Sequence, residues 1–282
     1  MAAGRLIVCP TPIGNLQDIT LRVLAALREA DLIACEDTRR TGTLLRSYGV
    51  SAKLVSYYEQ NEKARAAELV RRMHGGDVVA LVSDAGMPLV SDPGYVLVRA
   101  CVAAGLAVEV LPGPSAALAA LVASALPADN WRFAGFLPRR RAELEAVFSG
   151  METLVAFESP RRVAASLAVL AALDGQRPVA VCRELTKLHE EVVRGCAADL
   201  AARYAAEPPR GEVVLVVGPA PSSSGANLAQ AVAAVRDLVG AGARPRAAAG
   251  VVARLTGTSA NQLYAAVIAA PADAGDSASA SR

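Results

Sequence analysis

A chain of 282 residues carrying 29 Lys+Arg against 27 Asp+Glu, a formal charge of +2, is long enough for about two domains. With 53% hydrophobic and 20% charged residues it can bury sizeable cores, which excludes wholesale disorder. Near-neutral charge also excludes nucleic-acid binding by bulk basicity, so any such partner has to be held by local patches.

Strands are predicted at residues 5–9, 32–35, 53–56, 78–82 and 107–111, with helices near 20–30, 38–47, 62–73, 93–104 and 114–124. Short β-branched runs alternating with helix-period segments predict an α/β domain over 1–126 with a mostly parallel, two-sided sheet. A second α/β domain is expected over 127–220, with strands near 132–136, 153–157, 179–182, 191–193 and 212–217 and helices near 140–148, 160–173 and 198–206. Residues 219–225 (PAPSSSG) have linker composition. Beyond them, 226–270 reads as a small helical extension of helix-turn-helix type, turning at Gly257 and Thr258, and 271–282 as a disordered tail.

Cys9, Cys35, Cys101, Cys182 and Cys196 form no CxxC pair, and His74 and His189 are the only histidines. That pattern indicates reduced structural cysteines in a cytoplasmic protein, with no metal site. Pro10 and Pro12 interrupt the first apolar run, so no signal peptide is read there, and the uncharged stretch 110–128 is broken by Pro112, Gly113, Pro114 and Pro127, so no membrane span is expected.

Ligands of an open parallel sheet bind beyond the carboxyl ends of its strands. Four loops stand there: 10–15, 36–40, 83–94 and 112–116. None holds GxGxxG or GxxxxGK[ST], so a nicotinamide enzyme or a P-loop protein is disfavoured, although Glu36 and Asp37 stand where a ribose-binding acid is expected. Taken singly, each loop reads equally well as a helix start: Asp37 as a cap, Asp92-Pro93 and Pro112-Gly113-Pro114 as proline-led first turns. Four at one edge indicate a ligand site.

Arg39 and Arg40, Arg161 and Arg162, and Arg139, Arg140 and Arg141 all fall at predicted helix starts, where cations oppose the macrodipole. Solvated surface arginine is the ordinary reading of any one group. Three groups point to arginines kept for a polyanion, with helix N–H groups available to phosphate.

The segments PTPIGNLQDIT, ACEDTRRTGTLL, LVSDAGMPLVSDPG, LPGPSA, FESPRR, RELTK and RGEVVLVVG occur in the order and spacing of the ribosomal small-subunit methyltransferase I family, and the chain resembles that family over residues 5–218. PTPIGN and CEDTRR distinguish it from porphyrin and precorrin methylases. The resemblance implies a two-domain, tetrapyrrole-methylase-like α/β fold (class III S-adenosylmethionine methyltransferase) with the cofactor S-adenosylmethionine in the interdomain cleft. It further implies a homodimer and 2′-O-methylation of a decoding-region cytidine of 16S rRNA in the small ribosomal subunit. Carried over by position, Asp84, Ala85, Gly86, Met87, Pro88, Ser115 and Ala116 would hold the methionine and ribose portions. Thr11 and Pro12 would line the cleft floor, and Phe157, Glu158 and Leu185 the adenosine side. One departure is that Tyr58 and Gln60 occupy places where the family often has histidine.

Methyl transfer to a hydroxyl needs alignment first, worth about 7–11 kcal/mol, and a base second, worth about 10²–10⁴-fold. Asp37, Glu184 and Glu158 are the candidate bases, with Lys187 as a partner able to stabilise oxyanion character. A surface ion pair at i, i+3 is the competing account of Glu184 and Lys187, and a capping or surface role that of His189. With 4% aromatics, base stacking is a poor basis for recognition, and a shaped ribosomal particle is the expected substrate. Two alternatives stay open: a methylase of a tetrapyrrole or other small acceptor on the same fold, and a DNA-binding regulator using the C-terminal helix-turn-helix.

Overall fold

The computed structural model describes residues 4–220, 224–256 and 258–268. Two compact units are present, Met1–Ala220 and Pro221–Arg282. The expected tail at 271–282 and the turn residue Gly257 lie outside the described residues.

In the first unit, β1 (Arg5–Val8), β2 (Leu32–Cys35), β3 (Leu54–Ser56), β4 (Val78–Val82) and β5 (Ala107–Val110) alternate with α1 (Leu21–Glu29), α2 (Thr38–Ser47), α3 (Glu62–His74), α4 (Tyr95–Ala103) and α5 (Ala116–Ser124). The sheet is wholly parallel in the order β3-β2-β4-β1-β5. Its inner strands are continuous apolar runs because helices cover both faces: Leu6, Val8, Leu32, Ala34 and Leu81 face one core, and Ile7, Ile33, Cys35, Ala80 and Val82 the other. Edge strand β5 is half exposed.

The second sheet is mixed, in the order β6-β7-β10-β8-β9: β6 (Trp131–Phe136), β7 (Thr153–Glu158), β8 (Pro178–Arg183), β9 (Glu191–Cys196) and β10 (Val213–Val217). Only β6 and β7 run parallel; β10 and β8 are antiparallel to their neighbours. Helices α6 (Arg141–Phe148), α7 (Val163–Leu173) and α8 (Ala197–Ala206) complete this half. Helix α5 joins the halves. Its small residues Ala117 and Ala120, with Leu121, lie on Val155, Ala180, Cys182, Val214 and Val216 of the second sheet. Alanine permits the close approach that brings the loops of the first sheet over the face of the second.

Four helix starts differ from the sequence expectation. Helix α4 begins after Gly94 (φ 142°) rather than at Pro93, because Glu62 of α3 accepts the Gly94 N–H at 2.7 Å and takes the capping role expected of Asp92. Helix α5 begins at Ala116, with Ser115 as its cap. Helix α7 begins at Val163, so Arg161 and Arg162 lie in the preceding turn, and Arg139 and Arg140 likewise precede α6.

In the other unit, α9 (Ser224–Gly240), α10 (Pro245–Thr256) and α11 (Ala260–Ile268) pack around Ala231, Val235, Ala248, Ala249, Val252 and Leu263. Arg246 stacks on Tyr264, 5.6 Å from the ring centroid. Among the described residues, no helix is long and apolar enough to cross a membrane, and no group of His, Cys, Asp or Glu is arranged to hold a metal.

Candidate active site

The loops after β1 and β4 are tied together by a two-way backbone bridge. Thr11 and Gly86 exchange N–H···O bonds of 2.9 Å each, and the buried Thr11 hydroxyl donates to the Ser83 carbonyl at 3.1 Å. Gly86 (φ 80°) is required there: the backbone is left-handed, and a Cβ would lie 3.3 Å from Ile13 Cγ2. Bare backbone therefore faces the space between the halves. That space is a cleft of about 370 Å³, within the usual range for small-molecule sites.

From the first half, Ile13, Ala85, Gly86, Met87, Val90, Ser91, Asp92, Ser115 and Ala116 line it. The second half contributes Phe136, Phe157, Glu158, Ser159, Pro160, Cys182, Leu185 and the segment Gly211–Val214. Phe157 packs edge-on against Phe133 and Phe136, with centroids 5.0 and 5.5 Å apart, which stiffens the apolar wall. Among the described residues the lining holds three carboxylates, Asp92, Glu158 and Glu212, and no Lys, Arg or His. A cationic ligand suits such a lining; an anionic one does not.

The halves approach each other at two glycines. Ser91 Oγ lies 3.5 Å from where a Gly135 Cβ would stand, and Lys187 Cγ is 2.4 Å from the corresponding position on Gly14. Left-handed non-glycine residues concentrate in the same loops: Leu89, Ser91, Glu184 and Thr186 have φ of 73°, 67°, 51° and 68°. Such conformations cost of order 1–3 kcal/mol each and persist where surroundings enforce them.

Of the residues singled out in the sequence, Ala85, Gly86, Met87, Ser115, Ala116, Phe157, Glu158 and Leu185 come together in this lining, whereas Thr11, Pro12, Asp84 and Pro88 do not reach it. Thr11 supports the floor from behind, and Pro12 and Pro88 are buried. Asp84 turns away from the cleft because Arg40 Nη1 (2.7 Å) and the Asp37 N–H (3.3 Å) hold its carboxylate. These groups border a second, smaller depression formed by Leu16, Thr41, Thr43, Leu44, Ser47 and Ser83.

Asp37, Glu184 and Lys187 also lie outside the cleft lining. Asp37 caps α2, and its bonds to Arg39 hold its carboxyl down at about 2. Glu184 accepts the Glu212 N–H at 2.8 Å and Lys187 Nζ at 2.9 Å, which keep its carboxyl below the usual range. Burial pulls Lys187 down, but its pairs with Glu184 and with Glu212 (3.1 Å) outweigh that and raise it. Carboxyls held down by such partners accept protons less readily than ordinary carboxylates. Glu158 lines the cleft, yet both its oxygens are engaged, by the Ser159 N–H (2.7 Å), the Ser166 hydroxyl (2.5 Å) and Arg162 (3.3 Å).

The arginines divide. Arg39, Arg40, Arg140 and Arg141 expose 90, 63, 85 and 71% of their side chains, and Arg139 and Arg161 are exposed too. Arg162 instead donates to the Leu137 and Pro138 carbonyls at 3.1 and 2.6 Å, tying β6 to β7.

The sequence does not mark Asp92 as a site residue, since Asp-Pro reads as a helix start. It lines the cleft, and burial, then the negative charges of Glu36 and Asp84, push its carboxyl up to about 6. The non-glycine left-handed residues beside it are the structural signal of a loop held for function.

Residues 5–201 match the family described as Tetrapyrrole (Corrin/Porphyrin) Methylases. A ribosomal RNA small subunit methyltransferase I from Mesorhizobium japonicum is 51% identical over 221 residues, 76% of this chain and 75% of its own length. A protein of the same name from Mycobacterium bovis is 45% identical over 277 residues, 95% of this chain and 96% of its own. The structure of a uroporphyrin-III C-methyltransferase from Thermus thermophilus, complexed with S-adenosylhomocysteine, shares the fold at a TM-score of 0.54 and 21% identity, covering 76% of this chain and 97% of that one.

Proposed function

The chain belongs to the ribosomal RNA small subunit methyltransferase I family within the tetrapyrrole methylases, and on that premise we propose that it uses S-adenosylmethionine to methylate the ribose 2′-hydroxyl of a decoding-region cytidine of 16S rRNA in the small ribosomal subunit. The observation that carries this reading is a separation of charge. Among the described residues the cleft lining holds three carboxylates and no cation of its own, Glu158 and Glu212 being paired with Arg162 and Lys187 behind it and Asp92 with none, while exposed arginines stand immediately outside it. Arg161 follows the lining residue Pro160, Arg139 follows Phe136 by three residues, and Arg40 pairs with Asp84 beside Ala85. A cation inside and a polyanion outside are what a sulfonium cofactor and an RNA backbone require.

When bound, S-adenosylmethionine supplies an electrophilic methyl group on a cationic sulfur that departs as a neutral thioether. Gly86 and Ala85 give it close backbone approach, Ser115 and Ala116 stand at the start of α5, and Phe157 and Leu185 offer apolar wall to a nucleoside. Thr11 and Asp84 fix the loops that carry these residues. Because the leaving group is good, holding donor and acceptor in line is the larger part of catalysis, about 7–11 kcal/mol. The exposed arginines bind phosphates and orient the ribose; selecting a 2′-hydroxyl distinguishes RNA from DNA. Leu118 and Val122, exposed one turn apart on α5, support a homodimer, and the ribosomal substrate supports a cytoplasmic site of action.

Transfer of labelled methyl groups to unmodified small subunits, to naked 16S rRNA and to a tetrapyrrole tests the proposal. Incorporation into subunits well above naked rRNA is expected. Equal use of both would contradict recognition of the assembled particle, and use of the tetrapyrrole alone would contradict the rRNA reading.

A further inference from the structure

Three carboxylates face the cleft, and two are already committed. Glu158 is held on both oxygens by Ser159, Ser166 and Arg162. Glu212 is 72% exposed and paired with Lys187 at 3.1 Å. Asp92 is half-buried and, among the described residues, pairs with no cation. Its position follows from the loop: Glu62 satisfies the Gly94 N–H, so Asp92 is released from capping α4, and left-handed Leu89 and Ser91 turn the chain to set it in the lining.

We propose that Asp92 is the general base of the methyl transfer, accepting the proton of the acceptor hydroxyl. The inference rests on the ribose-methylation reading above. As the hydroxyl oxygen bonds to the methyl carbon, its proton passes to Asp92, and the carbon–sulfur bond breaks with its electron pair going to sulfur. Charge balances: one cation and one carboxylate yield a neutral thioether and a neutral carboxyl, which then releases its proton to water.

The surroundings suit the task. On the same half, Glu36 stands at the end of β2, Asp37 caps α2 with Arg39 attached, and Asp84 follows β4 with Arg40 bonded to it. Across the cleft stand the Glu158–Arg162 and Glu212–Lys187 pairs. Burial and the Glu36 and Asp84 charges, opposed in part by the Ser83 hydroxyl, lift the Asp92 carboxyl to about 6, close enough to neutrality for efficient proton acceptance while it remains largely ionised at pH 7. A bound cation lowers that value, so the acidic limb of kcat falls below that of kcat/KM.

The test combines a direct titration with kinetics on the full-length chain. Carbon NMR of aspartate-labelled, ligand-free protein should show a carboxyl titrating near 6 that is missing in Asp92→Asn. Asp92→Asn should lower kcat by about 10²–10⁴-fold, flatten the acidic limb, and weaken calorimetric S-adenosylmethionine affinity by far less than kcat; Asp92→Glu should restore part of kcat. Retained kcat, a retained acidic limb, or a loss confined to cofactor affinity would overturn the assignment, as would an Asp92 signal titrating near the ordinary carboxylate range. Wild-type protein that binds the cofactor but methylates no rRNA would instead reject the parent reading.

Discussion

Lys187 lies across Gly14: its Cγ occupies space 2.4 Å from where a Gly14 Cβ would stand, and Thr186 Oγ1 is 2.9 Å from the same point. This contact joins the β8–β9 loop of one half to the β1 loop of the other, at the cleft. Gly14→Ala should displace Lys187 and weaken S-adenosylmethionine binding on the order of tenfold, or ~1.4 kcal/mol. The double variant Gly14→Ala, Lys187→Ala should bind better than the sum of the two single losses predicts, because the closer of the two clashes is gone and only Thr186 Oγ1 still has to give way. Calorimetry on the four proteins measures that coupling.

Glu184 and Asp92 should respond to pH with opposite signs. The Glu184 carboxyl is held low in the fold, so its contribution is present at neutral pH and lost as pH falls through the folded value. Glu184→Gln should cost about 1 kcal/mol at pH 7, a difference that shrinks in acid. Asp92 is raised from 3.8 to about 6, so the unfolded chain gives up its proton first and wild-type stability declines as pH rises between those values. Asp92→Asn should therefore match wild type near pH 4 and exceed it at pH 8 by about 1–2 kcal/mol after allowance for solvent screening. Thermal unfolding across pH reads both.

The fold was legible where the physics is local. Continuous apolar strands such as 32–35 and 213–217 announce buried sheet positions, and Asp37 announces the cap of α2. Asp92 was not legible, because what frees it is Glu62, a bond spanning 32 residues. Arg161 and Arg162 are identical in sequence terms, yet one is exposed and the other reaches the carbonyls of Leu137 and Pro138. The Glu184–Lys187 spacing suggested an ion pair, but the Glu212 N–H and carboxylate that complete it come from a distant strand start.

That division among arginines has consequences. Arg39→Ala and Arg140→Ala should each weaken binding to the small subunit and reduce its salt dependence by about one unit of log–log slope, with cofactor affinity and Tm unaltered. Arg162→Ala should leave the salt slope alone and lower stability by about 2 kcal/mol, because Glu158 loses its cation and two carbonyls lose a donor. For a domain of this size that is a fall in Tm of about 4–8 °C.

Gly86→Ala tests the floor of the cleft. The left-handed backbone and the 3.3 Å approach to Ile13 make the substitution strained, costing on the order of 1 kcal/mol in Tm measurements. The added methyl also enters the cleft, so cofactor affinity should fall further than stability. Equal affinity with lowered stability would place the cofactor elsewhere.

The central claim, a ribose methyl placed on 16S rRNA by the cleft between the two α/β halves, is tested most directly by mass spectrometry of nucleosides and fragments. The substrate is unmodified small subunits incubated with the purified chain and S-adenosylmethionine. One 2′-O-methylcytidine from the decoding region is the predicted product; methylation on a base, on another nucleotide, or nowhere in the rRNA would contradict it.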